Sequence, residues 1–296
     1  MNQRGCILVN SYEYSENTQY QVERLTAEFG FFGVSMDVKT SAQAGVQIFK
    51  TDAADALGDY DFVIYLDKDK YAASLLEKRG HRLFNSANSI ELCDDKMTTH
   101  IALANLGIRM PDTIPGTLCY TPSAKIDTAY ADSIAQRLGF PLVVKECYGS
   151  LGKGVHLVQD MPSLLQVMEQ IKLRPHLFQR YIVSSHGRDV RVIVIGKKAF
   201  AWMLRKSDGD FRSNIALGGT GEKITLPQAF LQTAERAAEI LQLDYCGVDL
   251  MFGESGEPIL CEVNSNAFFS GIERVTGENI GKAYAEHIWR EIYVQK

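Results

Sequence analysis

The chain of 296 residues is long enough for about two domains with cores of their own, and its 46% hydrophobic and 23% charged residues are those of an ordinary soluble globular protein. A net charge of −5, with no run of Lys or Arg, argues against nucleic acid as the partner. Gly5-Cys6-Ile7-Leu8-Val9 is too short for a signal-peptide core and no later apolar run approaches membrane-spanning length, so a cytoplasmic protein without membrane contact is expected.

Cys6 to Val9 reads as a strand, and Ser15 opens a helical pattern that reaches Phe29. Val34 to Val38 and Phe62 to Leu66 are again strand-like, Ala72 to Lys78 is helical, and Arg82 to Phe84 closes the series. Strands alternating with helices in this way predict a small parallel α/β domain. It holds no Gly-x-Gly-x-x-Gly, so no dinucleotide cofactor is expected.

Next, Asp94 or Asp95 can cap a helix running to about Leu106, with Gly107 at its left-handed C-terminal position and Pro111 beyond. Lys96 falls in that helix's first turn, where the backbone N–H groups favour an anion; taken alone, it reads as a solvated surface lysine. Leu142-Val143-Val144-Lys145 is an apolar strand with a lysine in it, and such a lysine needs an anion. The loop that follows places Gly149, Gly152 and Gly154 within six residues before Val155 to Val158. This spacing is not a Walker A loop, and it joins strand to strand; it suits a glycine-rich hairpin closing over phosphates, or simply a turn.

Leu177 to Val183 and Asp189 to Ile195 are strand-like, and the latter forms a hairpin with Lys198 to Arg205 across Gly196-Lys197. Asp189 and Arg191 share a face by period two, so pairing with each other is one option. Arg212, in the loop Ser207 to Asn214, is placed to clamp a carboxylate or phosphate through its planar fork, or to be solvated. Pro227 opens a helix to Leu241 with a core-facing stripe of Phe230, Ala234, Ala237, Ala238 and Leu241. Asn279 to Val294 is a last amphipathic helix, in which His287 reads as a core or boundary residue.

Between these helices, Val248 to Phe252 and Ile259 to Val263 flank a cluster of turn-formers, which predicts a hairpin. A turn centred on Ser255-Gly256 sets Asp249 opposite Glu262, with Asn264 on the same face as Glu262. Facing carboxylates repel unless a hard cation joins them, and Mg²⁺ is commonly held by one or two carboxylates plus substrate phosphates. The bland alternative is a hairpin with solvated acids.

Zinc, disulfide and serine-hydrolase chemistry find no support. The six cysteines form no CxxC pair and mostly sit in apolar runs, the six histidines show no HExxH spacing, and there is no Gly-x-Ser-x-Gly.

The order of Asp95-Lys96, Gly107 to Pro111, Val143-Val144-Lys145, the glycine-rich loop, Gln179-Arg180-Tyr181-Ile182, Asp189-Val190-Arg191, Gly247-Val248-Asp249 and Glu262-Val263-Asn264 resembles the ATP-grasp superfamily. Gly209-Asp210-Phe211-Arg212-Ser213-Asn214, with Gly271-Ile272-Glu273 and Thr276-Gly277, is similar to its RimK-like glutamate-ligase branch. The likeness covers roughly residues 85 to 290, and the first domain shares only a general α/β character.

The resemblance implies an α/β (α+β) ATP-grasp fold. It would comprise a Rossmann-like pre-ATP-grasp domain at 1–92, a lid subdomain with the flap at 93–183, and a subdomain with the metal site at 184–296. It further implies that Lys96 and Lys145 contact ATP phosphates, that the flap with Gly149, Gly152 and Gly154 covers them, and that Gln179, Arg180, Tyr181 and Ile182 read the adenine edge. Asp189 joins that nucleotide set by the same likeness. Asp249, Glu262 and Asn264 would hold Mg²⁺ or Mn²⁺, and Arg212 and Arg191, with Asn264, would serve catalysis.

The implied activity is an ATP- and Mg²⁺-dependent carboxylate–amine ligase working through an acyl phosphate, joining an amino acid such as glutamate to a peptide, protein or small metabolite. A ligase of another ATP-grasp branch, or an ATP-binding regulatory protein without turnover, stays open, as does a homo-oligomer. Two departures bear on specificity: Arg180 stands where the family's hinge is usually acidic, and Ser265 to Ser270 replaces a small-Pro-Gly run.

Overall fold

A computed structural model describes residues 3–150, 152–214 and 218–294. The first unit runs β1 (Arg4–Val9), α1 (Glu16–Phe31), β2 (Ser35–Thr40), α2 (Ser41–Ala44), β3 (Gln47–Phe49), β4 (Asp52–Ala54), β5 (Phe62–Leu66), α3 (Lys70–Lys78) and β6 (Leu83–Phe84). Four of its strands form a parallel sheet in the order β2-β1-β5-β6. Every residue of β5 is buried, as expected of a central parallel strand covered on both faces. Ser15 caps α1 by accepting from the Thr18 N–H, which fixes the start that the sequence predicts. The short α2 and the exposed hairpin β3–β4 have no counterpart in the sequence reading; both are too short for a periodic signal.

The helix expected after a cap at Asp94 or Asp95 is α5 (Lys96–Leu103), which stops three residues short of Leu106, and a further helix that the sequence reading did not give, α4 (Ala87–Asp94), precedes it. Asp95 is extended, so it ends α4 while its carboxylate accepts from Met97 and Thr98 N–H to cap α5. Gly107 has a φ of +80° but lies in the turn beyond α5, not at its cap.

The second sheet is antiparallel, in the order β7-β10-β8-β9, built from β7 (Thr113–Pro115), β8 (Leu142–Glu146), β9 (Val155–Val158) and β10 (His176–Arg180). Ile114, Leu142, Val144, Val158 and Phe178 pack one face onto α6 (Thr128–Leu138) and α7 (Met161–Ile171). By strand alternation the opposite face carries Thr113, Val143, Lys145, Val155 and Gln179.

The third sheet, β13-β12-β11-β14-β15, comprises β11 (Arg188–Ile195), β12 (Lys198–Lys206), β13 (Thr220–Glu222), β14 (Tyr245–Phe252) and β15 (Pro258–Asn264). Its even-numbered residues Val190, Val192, Val194, Val248 and Leu250 bury the expected stripe of α8 (Gln228–Ile240). The other face divides. Toward one end, Ile193, Ile195, Ala201 and Met203 share a core with β1, α1 and α10 (Ile280–Tyr293), so the first unit and the last helix are packed as one. α9 (Ser270–Thr276) also contributes, through Ile272. At the other end that face carries Asp189, Arg191, Arg205 and Asp249. Among the described residues no helix is long and apolar enough to cross a membrane.

Candidate functional site

A cavity lies where the polar end of the third sheet faces the free face of the second. Its lining includes Lys96, Lys145, Gly149, Gly152, Gln179, Arg180, Tyr181, Ile182, Asp189, Arg212, Asp249 and Glu262 from the sequence-predicted set, joined by Arg205, Met251 and Cys261. Lys145 Nζ bridges the two sheets, 3.7 Å from Cys261 Sγ. Gly154, Arg191 and Asn264 are not in the lining.

The hairpin of β14 and β15 brings Asp249 opposite Glu262 by a route the sequence does not reveal. Phe252 pairs with Pro258 and Leu250 with Leu260, so the turn centres on Ser255 alone. That register, continued, would set Asp249 against Cys261. A bulge between Asp249 and Leu250 adds one residue to β15 and restores the Asp249–Glu262 pair. Asn264 pairs with Gly247, two residues on from Glu262, and so shares its side of the strand.

Asp249 is the centre of a buried ionic ladder. Arg191 donates through Nε to Oδ1 at 2.7 Å and through Nη2 to Oδ2 at 2.6 Å, and Arg205 Nη2 lies 2.8 Å from Oδ2. Arg205 also forks onto Asp189, at 2.7 and 2.6 Å. Asp189 and Arg191 therefore do not pair with each other. The register puts Asp189 opposite Arg205 and Arg191 opposite Asp249, and directly facing residues approach more closely than i and i+2 on one strand. Burial pushes the Asp249 carboxyl up, but Arg191 and Arg205 outweigh it and hold the group below the ordinary carboxylate range. Burial likewise opposes the charge on Arg205, and Asp189 and Asp249 more than restore it. Arg205 escaped the sequence reading, although an arginine closing the apolar run Ala199 to Leu204 was a signal of the same kind as Lys145.

Two cations hold the glycine-rich flap down. Lys96, almost fully buried and not solvated, donates to Gly149 O at 2.8 Å, and Arg212 Nη1 donates to Gly152 O at 2.7 Å. Arg212 also forks onto Asp210, whose carboxyl the Arg212 hydrogen bonds keep below its usual range. Gly154 anchors the flap's far end, its carbonyl accepting from Glu146 N at 2.8 Å. Its φ is +69°, and a Cβ there would stand 2.9 Å from the Glu146 side chain. Gly154→Ala is thus expected to lower stability by about 1–2 kcal/mol, read as a lower urea midpoint at unchanged slope. The guanidinium of Arg180 serves the scaffold, donating to Asp112 Oδ2 and to the carbonyls of Arg137 and Leu138.

The donor set suits a hard divalent cation. Of the roughly four lone-pair sites of a carboxylate, Asp249 uses three on Arg191 and Arg205, which leaves about one on Oδ1. Glu262, half-buried on the cavity wall, has no hydrogen-bond or ion-pair partner among the described residues. No group of three or more His, Cys, Asp and Glu side chains converges among the described residues, so such an ion would depend on ligand oxygens and water as well.

Comparison with known proteins follows the same lines. A RimK-like ATP-grasp domain model matches residues 93–288. Human N-acetylaspartylglutamate synthase A is 36% identical over 223 residues, 75% of this chain and 56% of that protein. Human beta-citrylglutamate synthase B is likewise 36% identical over 223 residues, with the same coverage. The chain therefore spans little more than half the length of these relatives. In fold, the crystal structure of a RimK domain ATP-grasp protein from Sphaerobacter thermophilus superposes with a TM-score of 0.70 over 96% of this chain and 99% of that one, at 20% identity.

Proposed function

Because the chain belongs to the RimK-like ATP-grasp family, we propose that it is an ATP- and Mg²⁺-dependent carboxylate–amine ligase that joins glutamate to a carboxylate-bearing small molecule or peptide. The observation that carries this reading is the cavity itself, where Lys96, Lys145, Arg205 and Arg212 surround the facing pair Asp249 and Glu262. The names of both relatives, each a synthase of a glutamate conjugate, N-acetylaspartylglutamate or beta-citrylglutamate, support glutamate as the amine.

A carboxylate is a poor electrophile, and transfer of the ATP γ-phosphoryl group onto it creates a good leaving group. Such a transfer requires positioning and positive charge more than a protein nucleophile. The thiol in the cavity, Cys261, fits that economy: burial pushes it up, so it stays protonated and unreactive. Lys96 and Lys145 would take the phosphates, and Gln179 to Ile182 would border the base. Arg212 would leave Asp210 and Gly152 to hold the substrate carboxylate and the charge that develops as the amine attacks. Arg191, away from the cavity lining, acts through Asp249 by holding its carboxylate in place. Asp249, Glu262 and Asn264 would hold Mg²⁺, which when bound neutralises charge on the transferring phosphates. The flap would keep water from the acyl phosphate.

Purified protein with ATP, Mg²⁺, glutamate and a panel of small carboxylic acids and peptides is expected to release ADP and phosphate, dependent on both glutamate and one acid. Release of AMP, or no turnover with any member of the panel or with other amino acids, overturns the reading.

A further inference from the structure

β2 is an edge of the first sheet, far in sequence from the cavity residues, and half of its backbone has no partner among the described residues. Ser35 N donates to Gln3 O on the β1 side at 3.0 Å. Backbone groups alternate along a strand, so Ser35, Asp37 and Lys39 turn theirs to β1, while Met36 and Val38 turn theirs away from the sheet. The usual guards of an edge are missing: the register with β1 runs through all six residues without a bulge, and the strand holds no proline. Val38, near its centre, is 44% exposed.

Two charged side chains of this strand are incompletely partnered as well. Arg4 Nη2 and Tyr60 OH both donate to Asp37 Oδ2, each at 2.8 Å, and leave Oδ1 without a partner among the described residues. The hydrogen bonds from Tyr60 and Arg4 hold the carboxyl below its usual range, so it is an anion at neutral pH. Lys39 Nζ donates to Leu57 O at 2.7 Å, which leaves it two further protons and, among the described residues, no carboxylate. Asp37 and Lys39 share one face by period two. A lysine on an edge ordinarily keeps a second strand away; here an acid stands two residues before it.

We propose that β2 is the contact of a symmetric dimer, in which two copies of this chain join antiparallel along this edge with the two-fold axis through Val38, and two four-stranded sheets become one. An antiparallel ladder pairs outward-turned residues with one another, so the axis falls on a residue and never between two. An axis on Asp37 sets carboxylate directly against carboxylate, and one on Lys39 sets ammonium against ammonium, both of which are disfavoured. An axis on Val38 sets Asp37 of each copy opposite Lys39 of the other. There the free Oδ1 and the ammonium without a carboxylate meet twice by symmetry. Val38 then exchanges both backbone hydrogen bonds with its own counterpart. Of these three axes, only the one on Val38 satisfies backbone and charge together.

Sedimentation equilibrium of the full chain over a concentration series is expected to show a monomer–dimer equilibrium, a weak one because an edge contact lies at the small end of interface sizes. Val38→Lys, which sets two ammonium groups face to face, and Lys39→Glu, which sets Glu against Asp37, should each weaken it by about tenfold or more. Mixing Lys39→Glu with Asp37→Lys should restore association, since every facing pair in the mixed dimer is again of opposite charge; a loss caused by misfolding is not reversed by mixing. Val38→Cys should cross-link to its own counterpart under mild oxidation, because Cα atoms of hydrogen-bonded facing residues lie about 5.5 Å apart, within disulfide reach. Ile48→Cys, at a more exposed position on β3, should cross-link far less. A wild type that stays monomeric up to millimolar concentration, a dimer unaffected by Val38→Lys, a mixture that associates no better than its components, or equal cross-linking at the two positions overturns the proposal.

Discussion

Asp249→Asn is expected to cost about 3–5 kcal/mol of stability as well as activity, because among the described residues it leaves the largely buried Arg191 with no carboxylate and the buried Arg205 with Asp189 alone. Seen as a metal ligand alone, Asp249 would be replaceable with little loss of fold; the ladder makes that expectation untenable. A drop in Tm on the order of 10 °C is anticipated by scanning calorimetry. The effect should depend on pH. The carboxyl's folded-state value lies below its unfolded value of about 3.9, so its contribution is complete above about pH 4 and is lost as pH falls through the folded-state value. The stability gap between wild type and Asp249→Asn should therefore narrow only in that acid range. A Tm within about 2 °C of wild type at pH 7 would mean that the two guanidiniums are not held in the buried ladder.

Glu262→Gln separates the metal role from the scaffold. Glu262 is half-buried and unpartnered among the described residues, so the amide should change stability by no more than about 0.5 kcal/mol. If Glu262 neutralises a divalent ion on the phosphates, ADP formation should fall by about 10²–10³-fold, with partial recovery at raised Mg²⁺. A rate within about threefold of wild type would remove Glu262 from the metal set, whatever Asp249→Asn does.

The two variants differ because of one structural fact that the sequence leaves open. In the sequence Asp249 and Glu262 look equivalent, two acids at facing positions of one hairpin. Across the sheet they are not. Asp249 is on the inner strand β14, where β11 presents Arg191 and β12 reaches over with Arg205, while Glu262 is on the edge strand β15 and looks onto the cavity. Lys96 shows the same limit. A lysine in a helix's first turn is ordinarily solvated, and only the flap folded against it, with Gly149 O as acceptor, buries it.

What the sequence determined by itself is what neighbours along the chain can settle. The apolar runs of β5, β8 and β11, the start of α1 at Ser15, the stripe of α8 and the glycine-rich loop all rest on interactions within a few residues, so their pattern was readable. The order of its motifs also carried the family, since that order survives whatever the partners in space. Only the tertiary structure decided which charge meets which. The pairing of Asp189 with Arg205 and Arg191 with Asp249 depends on strand order in the third sheet, and the Asp249–Glu262 pair depends on a one-residue bulge. A shift of one residue would have turned each of these side chains to the opposite face, and burial of the apolar face against α8 is the long-range force that excludes that shift.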